Sequence, residues 1–389
     1  MRLYDTAKRA VVTFAPGPRV TMYTCGITPY DSAHLGHAAV YVTYDVLQRR
    51  LLDLGHRTEC VRNITDVDDD ILKKARELGV HFLDLAAGEI ARFDADMAAL
   101  NVLPVASEPR ATSAIPDILG FIGMVLDSGH AYRAGGAVYF DVSTHPRFGS
   151  LSGLSREEML ELAAERGGNP DDRFKDDPLD FVLWQPSAAG EPTWDSLWGK
   201  GRPGWHIECS ALALRELGTT IDIHGGGSDL VFPHHECEAA QSEAATGERF
   251  VRHWMHVAMV RLGGQKMSKS LGNLVFVHDL FAGHEPAAVR LLILSHHYRE
   301  SWDYEPAALE AAARRLESWR ASGASGASGT SGASGAPVRP TGPVLEAVRD
   351  RLDDDLDTPG ALSAIDAAVA EGSGAGARTT AAALLGVVF

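Results

Sequence analysis

The sequence predicts an α/β fold in which a parallel sheet is interrupted by an insertion and followed by a small helical domain. Strand-like residues 19–25 and 57–63 flank residues 34–54, whose apolar positions repeat with a helical period. Such a strand–helix–strand order is typical of parallel sheets. Strand-like patterns return at 219–224 and 252–260, so the chain between the two sets of strands is inserted into one sheet.

Each element of the first half follows from its local pattern. The first helix ends before Gly55, a residue type that readily adopts the left-handed conformation found at helix ends. Further helices are predicted at 68–78 and 83–100. Because ligands of such sheets bind beyond the carboxyl ends of the strands, the predicted strand ends at Cys25 and Asn63 indicate a candidate site.

The rest of the chain changes character several times. A helix and a hairpin around Gly135 are predicted within 113–142, and an Ala-Ser-Gly repeat occupies 321–336. The repeat is too poor in apolar groups to fold and predicts a flexible linker. Helical composition returns at 344–357 and 361–385. The predicted division is a first half of the α/β domain at 1–112, an inserted connective region at 113–200, a second half at 201–280, a helical domain at 281–320, a linker at 321–343 and C-terminal helices at 344–389.

Composition restricts the class of protein. The 389 residues contain no stretch of 18 apolar residues and no signal-peptide pattern at the start, so a cytoplasmic location without membrane insertion is expected. In a reducing compartment, four scattered cysteines are more often metal ligands, nucleophiles or core residues than disulfides. The formal net charge of −16, without any Lys/Arg cluster longer than two residues, disfavours a long polyanionic partner.

The first chemical motif is the tetrad from His34 to His37, which opens the first long helix. Its two histidines lie on one face at the helix N-terminus, where unpaired N–H groups and the helix dipole favour an anion such as a phosphate. An ordinary helix start with two surface histidines explains the tetrad alone equally well.

The second motif, residues 266–270, follows a Gly-Gly pair and is predicted to lie on a mobile loop. Its lysines and serines can hold a pyrophosphate through charge-assisted hydrogen bonds. Together the two motifs resemble the signature of class I aminoacyl-tRNA synthetases. The resemblance implies a Rossmann-like class I synthetase catalytic domain that uses ATP with Mg²⁺. It also implies that His34 and His37 stabilise the phosphate charge while Lys266 and Lys269 hold the leaving pyrophosphate.

A third constellation combines Cys25 with residues 204–210 and 232–236, each of which begins a predicted helix. These segments resemble cysteinyl-tRNA synthetases, in which the residues matching Cys25, Cys209 and His234 bind zinc. Three protein ligands leave a coordination position that a substrate thiolate can fill and a serine hydroxyl fills only weakly. Zinc therefore suits a site that selects cysteine.

The other cysteines and one glutamate leave alternatives open. Glu238 matches a fourth zinc ligand of the synthetases, and whether it coordinates here is open. Cys237 lies three residues from His234 and could compete, but it does not match the motif. Cys60, in an apolar predicted strand, is expected in the core.

The same resemblance implies the pocket for cysteine and its adenylate. It assigns Thr28 and Trp205 to the cysteine, and Asp229 and Val260 to the adenylate. The full set of implied pocket residues is Cys25, Gly26, Ile27, Thr28, Val40, Asn63, Ile64, Thr65, Trp205, Gly227, Ser228, Asp229 and Val260.

Several features depart from the tRNA enzymes. Only 119 residues follow Ser270, which leaves little room for an anticodon-binding domain. The sequences at 27–29 and at Ala39 differ from the synthetase pattern, and Val40 falls where threonine is expected. Residues 165–170, Glu-Arg-Gly-Gly-Asn-Pro, and the C-terminal 384–387 resemble the mycothiol-pathway cysteine ligases of actinomycete bacteria. Those enzymes join cysteine to the amine of glucosaminyl-inositol.

The resemblance therefore implies an enzyme with cysteine, ATP and glucosaminyl-inositol as substrates and no nucleic acid partner. A monomer is expected, although the sequence itself does not fix the oligomeric state. A shortened cysteinyl-tRNA synthetase is the first alternative. A non-catalytic zinc-binding paralogue is the second, although the intact phosphate-binding motifs argue against it. The sequence leaves open the base that deprotonates the amine, the residues that bind the inositol and the oligomeric state.

Overall fold

A computed structural model describes residues 1–267, 271–324 and 341–389. The strands are β1 (Arg2–Asp5), β2 (Ala10–Thr13), β3 (Arg19–Ile27), β4 (Arg57–Ile64), β5 (Ala131–Ala134), β6 (Ala137–Phe140), β7 (Phe181–Gln185), β8 (Arg202–Pro203), β9 (Ile221–Gly227), β10 (Val251–Val257), β11 (Val260–Leu262), β12 (Gln265–Lys266) and β13 (Trp302–Asp303). The α-helices are α1 (Leu35–Asp53), α2 (Asp69–Leu78), α3 (Phe82–Ala99), α4 (Ile115–Asp127), α5 (Arg156–Glu165), α6 (Trp205–Leu217), α7 (Glu236–Thr246), α8 (Val277–Phe281), α9 (Pro286–Leu294), α10 (Pro306–Ala324), α11 (Pro343–Asp353), α12 (Thr358–Ala370) and α13 (Gly374–Leu385).

The central sheet has the strand order β10-β9-β3-β4, and all neighbouring pairs are parallel. Its register places Tyr23 opposite His224, and His224 opposite Trp254. Close packing of β9 requires glycine, because a Cβ on Gly225 would lie 1.6 Å from the carbonyl oxygen of Met255. The predicted parallel α/β sheet is confirmed, and its carboxyl edge gathers the ends of four strands.

Helix α1 connects β3 to β4 along one face of the sheet. It begins at His34, which is the N-cap, and the chain leaves it through Gly55 with φ of 91°. Both ends agree with the pattern predicted from the sequence. The apolar side of the helix is buried, which fixes the position of its N-terminus beside the carboxyl edge of the sheet.

The insertion forms its own antiparallel sheet, in the order β5-β6-β7-β8. Helices α4 and α5 cover an apolar core that includes Ile118, Phe140 and Trp184. Strand β8 extends this sheet to Pro203, slightly beyond the predicted end of the insertion at residue 200. The insertion therefore runs directly into α6, which begins at Trp205.

The C-terminal helices share one hydrophobic core with α1, to which Leu47, Leu352, Ile365 and Leu384 all contribute. The segment predicted as helical over 361–385 divides into α12 and α13, because the chain turns at Gly372 with φ of 85°. Helix α10 reaches Ala324, past the predicted linker boundary. Residues 325–340, which include the rest of the repeat and part of the predicted linker, lie outside the described residues.

Helix length and composition also bear on membranes. Of the helices in the described ranges, none combines the length and the apolar content needed to cross a bilayer.

Candidate functional site

Backbone pairing connects the first predicted phosphate-binding motif to the chain just after the second. The Leu35 N–H donates to Val275 O at 2.8 Å, and the Val277 N–H donates to Ala33 O at 3.0 Å. This short antiparallel contact places the start of α1 beside the chain that follows the 266–270 motif. At the helix start, His34 Nδ1 accepts from the Gly36 N–H at 3.1 Å, and the ring of His34 stacks on that of His37 at 3.8 Å.

Lys266 lies in the short strand β12, although the sequence predicts a loop there. Its Nζ lies 3.0 Å from Asp229 Oδ2, and both side chains are partly exposed. The contact connects the lysine motif to the loop after β9, which carries two of the predicted pocket residues, Ser228 and Asp229. Lys269, with Ser268 and Ser270, lies outside the described residues.

A buried group of possible metal ligands lies at the carboxyl edge of the sheet. Cys25, Cys209, His234 and Glu238 place one donor atom each within 4.8 Å of the others. Cys25 Sγ lies 3.8 Å from Cys209 Sγ and 3.5 Å from Glu238 Oε1. His234 Nε2 lies 3.1 Å from Glu238 Oε1. The group contains the three sequence-predicted ligands and the glutamate that the sequence left open.

The donor set fits zinc. Zinc–sulfur bonds of about 2.3 Å at a tetrahedral angle separate two sulfurs by about 3.8 Å, and Cys25 and Cys209 have this separation. Thiolate and imidazole donors also favour zinc over magnesium or calcium, which prefer oxygen. The described geometry therefore suits zinc without rearrangement of the two sulfurs.

A second group overlaps the first and was missed by sequence reasoning. Cys25 and Glu238 also lie within 4.8 Å of donor atoms on His224 and His235. His224 Nε2 lies 3.0 Å from Glu238 Oε2, and His235 Nε2 lies 3.2 Å from Cys25 Sγ. The outer nitrogen of His235 contacts His256 Nε2 at 2.7 Å. The two groups therefore share Cys25 and Glu238 and differ in their other two donors.

The ionisation of the first group favours a cation. Burial raises the pKa of the Cys25 thiol. For Cys209, burial opposes ionisation, but the hydrogen bond from Cys25 and the charge of His234 lower the thiol pKa to about 6. Burial also opposes ionisation of Glu238, yet the charges of His224 and His234 hold its pKa well below the usual range. A divalent ion would add to these anionic donors and displace the protons from Cys25 and His234.

Aromatic and histidine side chains enclose His234. The Trp205 ring stacks on the His234 ring at 4.3 Å, and His206 Nδ1 lies 2.9 Å from His234 Nδ1. Trp205 therefore lies beside the candidate metal group, at the start of α6. Cys237 lies in the apolar cluster of the insertion, and Cys60 contacts Met22 Sδ at 3.5 Å in the core.

The predicted pocket residues of β3 and β4 lie against each other at the same edge. The Gly26 N–H donates to Asn63 Oδ1 at 2.9 Å, and the Thr65 N–H donates to Ile27 O at 3.0 Å. A Cβ on Gly26 would lie 1.5 Å from the Asn63 carbonyl oxygen, so glycine is required there. Ile64 is buried beside them.

The other predicted residues lie on different elements. Thr28 follows β3, Val40 lies on α1, and Val260 begins β11. Gly227 ends β9, and Ser228 and Asp229 follow it in a short 3-10 turn.

Sequence reasoning missed Arg166, His206, His224, His235 and His256. Three of these, Arg166, His206 and His235, lie in segments already noted for their resemblance, residues 165–170, 204–210 and 232–236. A signal was therefore present for those three, but an adjacent pair such as His234 and His235 does not show which ring faces a site. His224 lies in β9 and His256 in β10, outside those segments.

Comparison with known proteins gives consistent results. Residues 12–314 match the model of the tRNA synthetases class I (C) catalytic domain. A protein of Nocardiopsis dassonvillei, named L-cysteine:1D-myo-inositol 2-amino-2-deoxy-alpha-D-glucopyranoside ligase, is 49% identical over 99% of this chain and 93% of its own length. A protein of the same name from Thermobifida fusca is 48% identical over 100% of this chain and 95% of its own.

A solved structure supports the fold. Mycobacterium tuberculosis methionyl-tRNA synthetase in complex with methionyl-adenylate aligns with a TM-score of 0.68 at 16% identity, over 91% of this chain and 82% of that chain. At this identity the likeness concerns the fold alone. The match to the class I family model and the nearly full-length relatives confirm the resemblance inferred from the motifs. The chain belongs to the family of L-cysteine:1D-myo-inositol 2-amino-2-deoxy-alpha-D-glucopyranoside ligases, the mycothiol-pathway cysteine ligases, within the class I synthetase fold.

Proposed function

We propose that this chain activates L-cysteine with ATP and joins the cysteinyl group to the amine of glucosaminyl-inositol. The observation that carries the proposal is the position of a buried Cys/His/Glu group at the carboxyl edge of the sheet, where α1 begins with the first predicted phosphate-binding motif. The printed names of the nearly full-length relatives support the same pair of substrates.

Cysteine selection follows from the chemistry of the donor group. Cys25, Cys209 and His234 would hold zinc, with Glu238 beside them, and the position left open would take the substrate thiolate. The affinity of zinc for a thiolate over a hydroxyl would distinguish cysteine from serine. Trp205 lies against His234 and would form one wall beside the substrate. Thr28, just after β3, would seat the rest of the amino acid.

The first half-reaction would form the adenylate. The cysteine carboxylate attacks the α-phosphate of ATP, and the bond to pyrophosphate breaks. His34 and His37 would stabilise the phosphate charge, while Lys266 and Lys269, with Mg²⁺, would hold the leaving pyrophosphate. Asp229 and Val260 would contact the adenylate.

The second half-reaction would form the amide. The unprotonated amine of the sugar attacks the activated carbonyl, the carbonyl–phosphate bond breaks, and AMP leaves with the electron pair. We also propose that the protein works in the cytoplasm as a monomer. We further propose that it acts without nucleic acid, because its net charge of −16 disfavours a polyanionic acceptor.

The acceptor is tested by a single mixing experiment. Enzyme-bound cysteinyl-adenylate is mixed with glucosaminyl-inositol or with unacylated cysteine tRNA at several salt concentrations, and AMP release is followed. We expect rapid release with the sugar, only weakly affected by salt, because a small acceptor replaces few counterions. The rate should rise with pH through the pKa of the amine.

The tRNA alternative predicts the opposite result. Transfer to tRNA that falls steeply as salt rises, with none to the sugar, would reject the proposed acceptor and favour a shortened synthetase. Cysteine-dependent ATP–pyrophosphate exchange in the absence of either acceptor would still establish the first half-reaction.

Removal of the Lys266 charge is expected to slow adenylate formation selectively. Lys266→Ala should lower kcat/KM for cysteine-dependent ATP–pyrophosphate exchange. The corresponding activation free energy should rise by about 2–4 kcal/mol, because the lost contact is made largely in the transition state. Cysteine affinity should change little, since the lysine lies outside the candidate metal group. We expect Lys269→Ala to behave in the same way.

Lys200→Ala is the matched control. Lys200 is an exposed lysine of the insertion, 3.6 Å from Asp195, and its removal should leave exchange unchanged. Exchange by Lys266→Ala at the rate of this control would contradict the role proposed for Lys266.

A further inference from the structure

The segment Glu-Arg-Gly-Gly-Asn-Pro at 165–170 reaches out of the insertion toward the loop after β9. Helix α5 ends at Arg166, whose backbone N–H donates to Leu162 O at 3.0 Å. The Arg166 side chain extends away from the helix, and its Nη1 donates to the carbonyl oxygens of both Asp229 and Phe232. One guanidinium nitrogen thus holds two points of a loop that lies more than 60 residues away in sequence.

The loop needs an external donor for a local reason. Residues 228–230 form one 3-10 turn, and a second helical turn runs from Val231 to His235. Phe232 interrupts this second turn with an extended conformation, φ −137° and ψ 135°. A carbonyl at such a break does not find its partner within a regular helix, so a side-chain donor can satisfy it.

The segment that carries Arg166 is held in place on its own side. Lys175 donates to Gly168 O, and the Gly168 N–H donates to Ala163 O at 2.7 Å. A Cβ on Gly168 would lie 2.8 Å from that same carbonyl oxygen, so the close approach requires glycine. Arg166 therefore projects from a fixed turn and can hold the loop against the insertion.

Each end of the held loop carries one residue of the candidate site. Asp229 contacts Lys266 Nζ at 3.0 Å, and His234 contacts Glu238 Oε1 at 3.1 Å. Arg166 contacts the backbone at Asp229 and at Phe232, two residues before His234. Movement of this loop would change the separation between the adenylate side of the site and the metal side.

We infer that Arg166 is a positioning residue that sets the loop 228–235 for adenylate formation and so couples the insertion to the candidate active site. The inference rests on the proposed function for its kinetic consequence. It does not require Arg166 to touch a substrate, since the guanidinium acts through the backbone of the loop.

The test compares three variants. Arg166→Ala removes both hydrogen bonds and should lower kcat/KM for ATP in cysteine-dependent pyrophosphate exchange about 10- to 100-fold, with bound metal retained. Arg166→Lys should restore most of this loss, because a single donor nitrogen serves both carbonyls and an ammonium carries three donors. Arg156→Ala is the matched control: it removes an exposed bidentate pair with Asp177 from the same helix.

Hydrogen exchange supplies a readout that is independent of activity. In Arg166→Ala the amides of 228–235 should exchange faster than in wild type, while those of α5 remain protected and Arg156→Ala leaves 228–235 unchanged. The inference would be overturned if Arg166→Ala kept the wild-type hydrogen-exchange protection of 228–235. It would also be overturned if Arg166→Lys catalysed pyrophosphate exchange as slowly as Arg166→Ala. If the Ala variant does not fold, the Lys variant decides alone. The inference is supported if its rate of pyrophosphate exchange and its protection of 228–235 lie closer to the values of the Arg156→Ala control than to values tenfold lower. A larger loss overturns the inference.

The two proposals fail in different ways. A wild-type protein without cysteine-dependent exchange would contradict the proposed function, while hydrogen exchange would still show whether Arg166 holds the loop. If the wild-type protein is active and Arg166→Ala keeps both the wild-type rate of pyrophosphate exchange and the wild-type hydrogen-exchange protection of 228–235, only the positioning role is contradicted.

Discussion

Replacement of Cys209 by alanine is expected to remove zinc from the protein and to lower cysteine-dependent ATP–pyrophosphate exchange about 1000-fold. Cys209 is the donor whose thiol pKa is lowered to about 6, so it contributes a thiolate to the group at neutral pH. Its loss leaves one sulfur, one imidazole and one carboxylate. Zinc content by elemental analysis and cysteine affinity by calorimetry measure the two consequences separately.

The effect should exceed that of an ordinary buried cysteine. Cys237 is also buried, but it lies in the apolar cluster of the insertion. Cys237→Ala should therefore keep one zinc per chain. Its unfolding free energy should fall by only about 1 kcal/mol. The comparison separates loss of a ligand from loss of core packing.

Two donor groups share Cys25 and Glu238, and the experiment shows which of them holds the metal. If zinc is bound by Cys25, His224, His235 and Glu238, Cys209→Ala will retain it and His235→Gln will lose it. If the metal lies with Cys209 and His234, the outcomes reverse. Full retention of zinc in Cys209→Ala would therefore contradict our assignment and support the other group.

Local patterns predicted the central elements well because their physical causes are local. The alternation of buried strand and amphipathic helix predicted β3, α1 and β4, and Gly55 marked a helix end that the structure confirms. The break between α12 and α13 was missed, although Gly372 provides its cause. A run of alanines on both sides favours helix strongly enough to hide one turn.

The site required information of another kind. Cys25 and Cys209 are 184 residues apart in sequence, and no helical or strand period connects them. Their partnership was inferred from a resemblance, and the fold places their sulfurs 3.8 Å apart. Hydrogen bonds such as those from Arg166 to the loop after β9 depend on how the insertion packs, which local sequence does not encode.

The packing of the C-terminal helices was also beyond prediction from periodicity. A patterned helix predicts a buried face without showing what covers it. Here the covering partner is α1, whose N-terminus carries His34. The stability of the C-terminal helices and the placement of the motif that begins at His34 therefore depend on the same interface.

Replacement of Arg290 should show how strongly this interface stabilises the fold. Arg290 is 1% exposed and lies in α9. Its guanidinium pairs with Asp45 of α1 and donates to Leu385 O at 2.6 Å and to Leu100 O at 2.7 Å. Arg290→Met removes the buried cation, and the Asp45 carboxylate and the carbonyls of Leu385, Leu100 and Asn101 each lose a donor. We therefore expect a loss of about 3–5 kcal/mol in unfolding free energy, measured by urea denaturation.

Neighbouring contacts should keep the loss from exceeding this range. Asp45 also accepts from Arg49 Nε at 2.8 Å and from the Leu103 N–H at 2.8 Å, so its carboxylate stays partly compensated. Adding Asp45→Asn to Arg290→Met removes the buried carboxylate that has lost one of its two arginine partners and should recover part of the loss. Arg351→Met is the control, because Arg351 is exposed and lies 3.4 Å from Asp357, an arrangement worth less than about 1 kcal/mol. Equal stability of Arg290→Met and Arg351→Met would show that this network does not hold α1 against the C-terminal helices. A larger loss in Arg290→Met, with partial recovery in the double variant, would assign the difference to the buried pair.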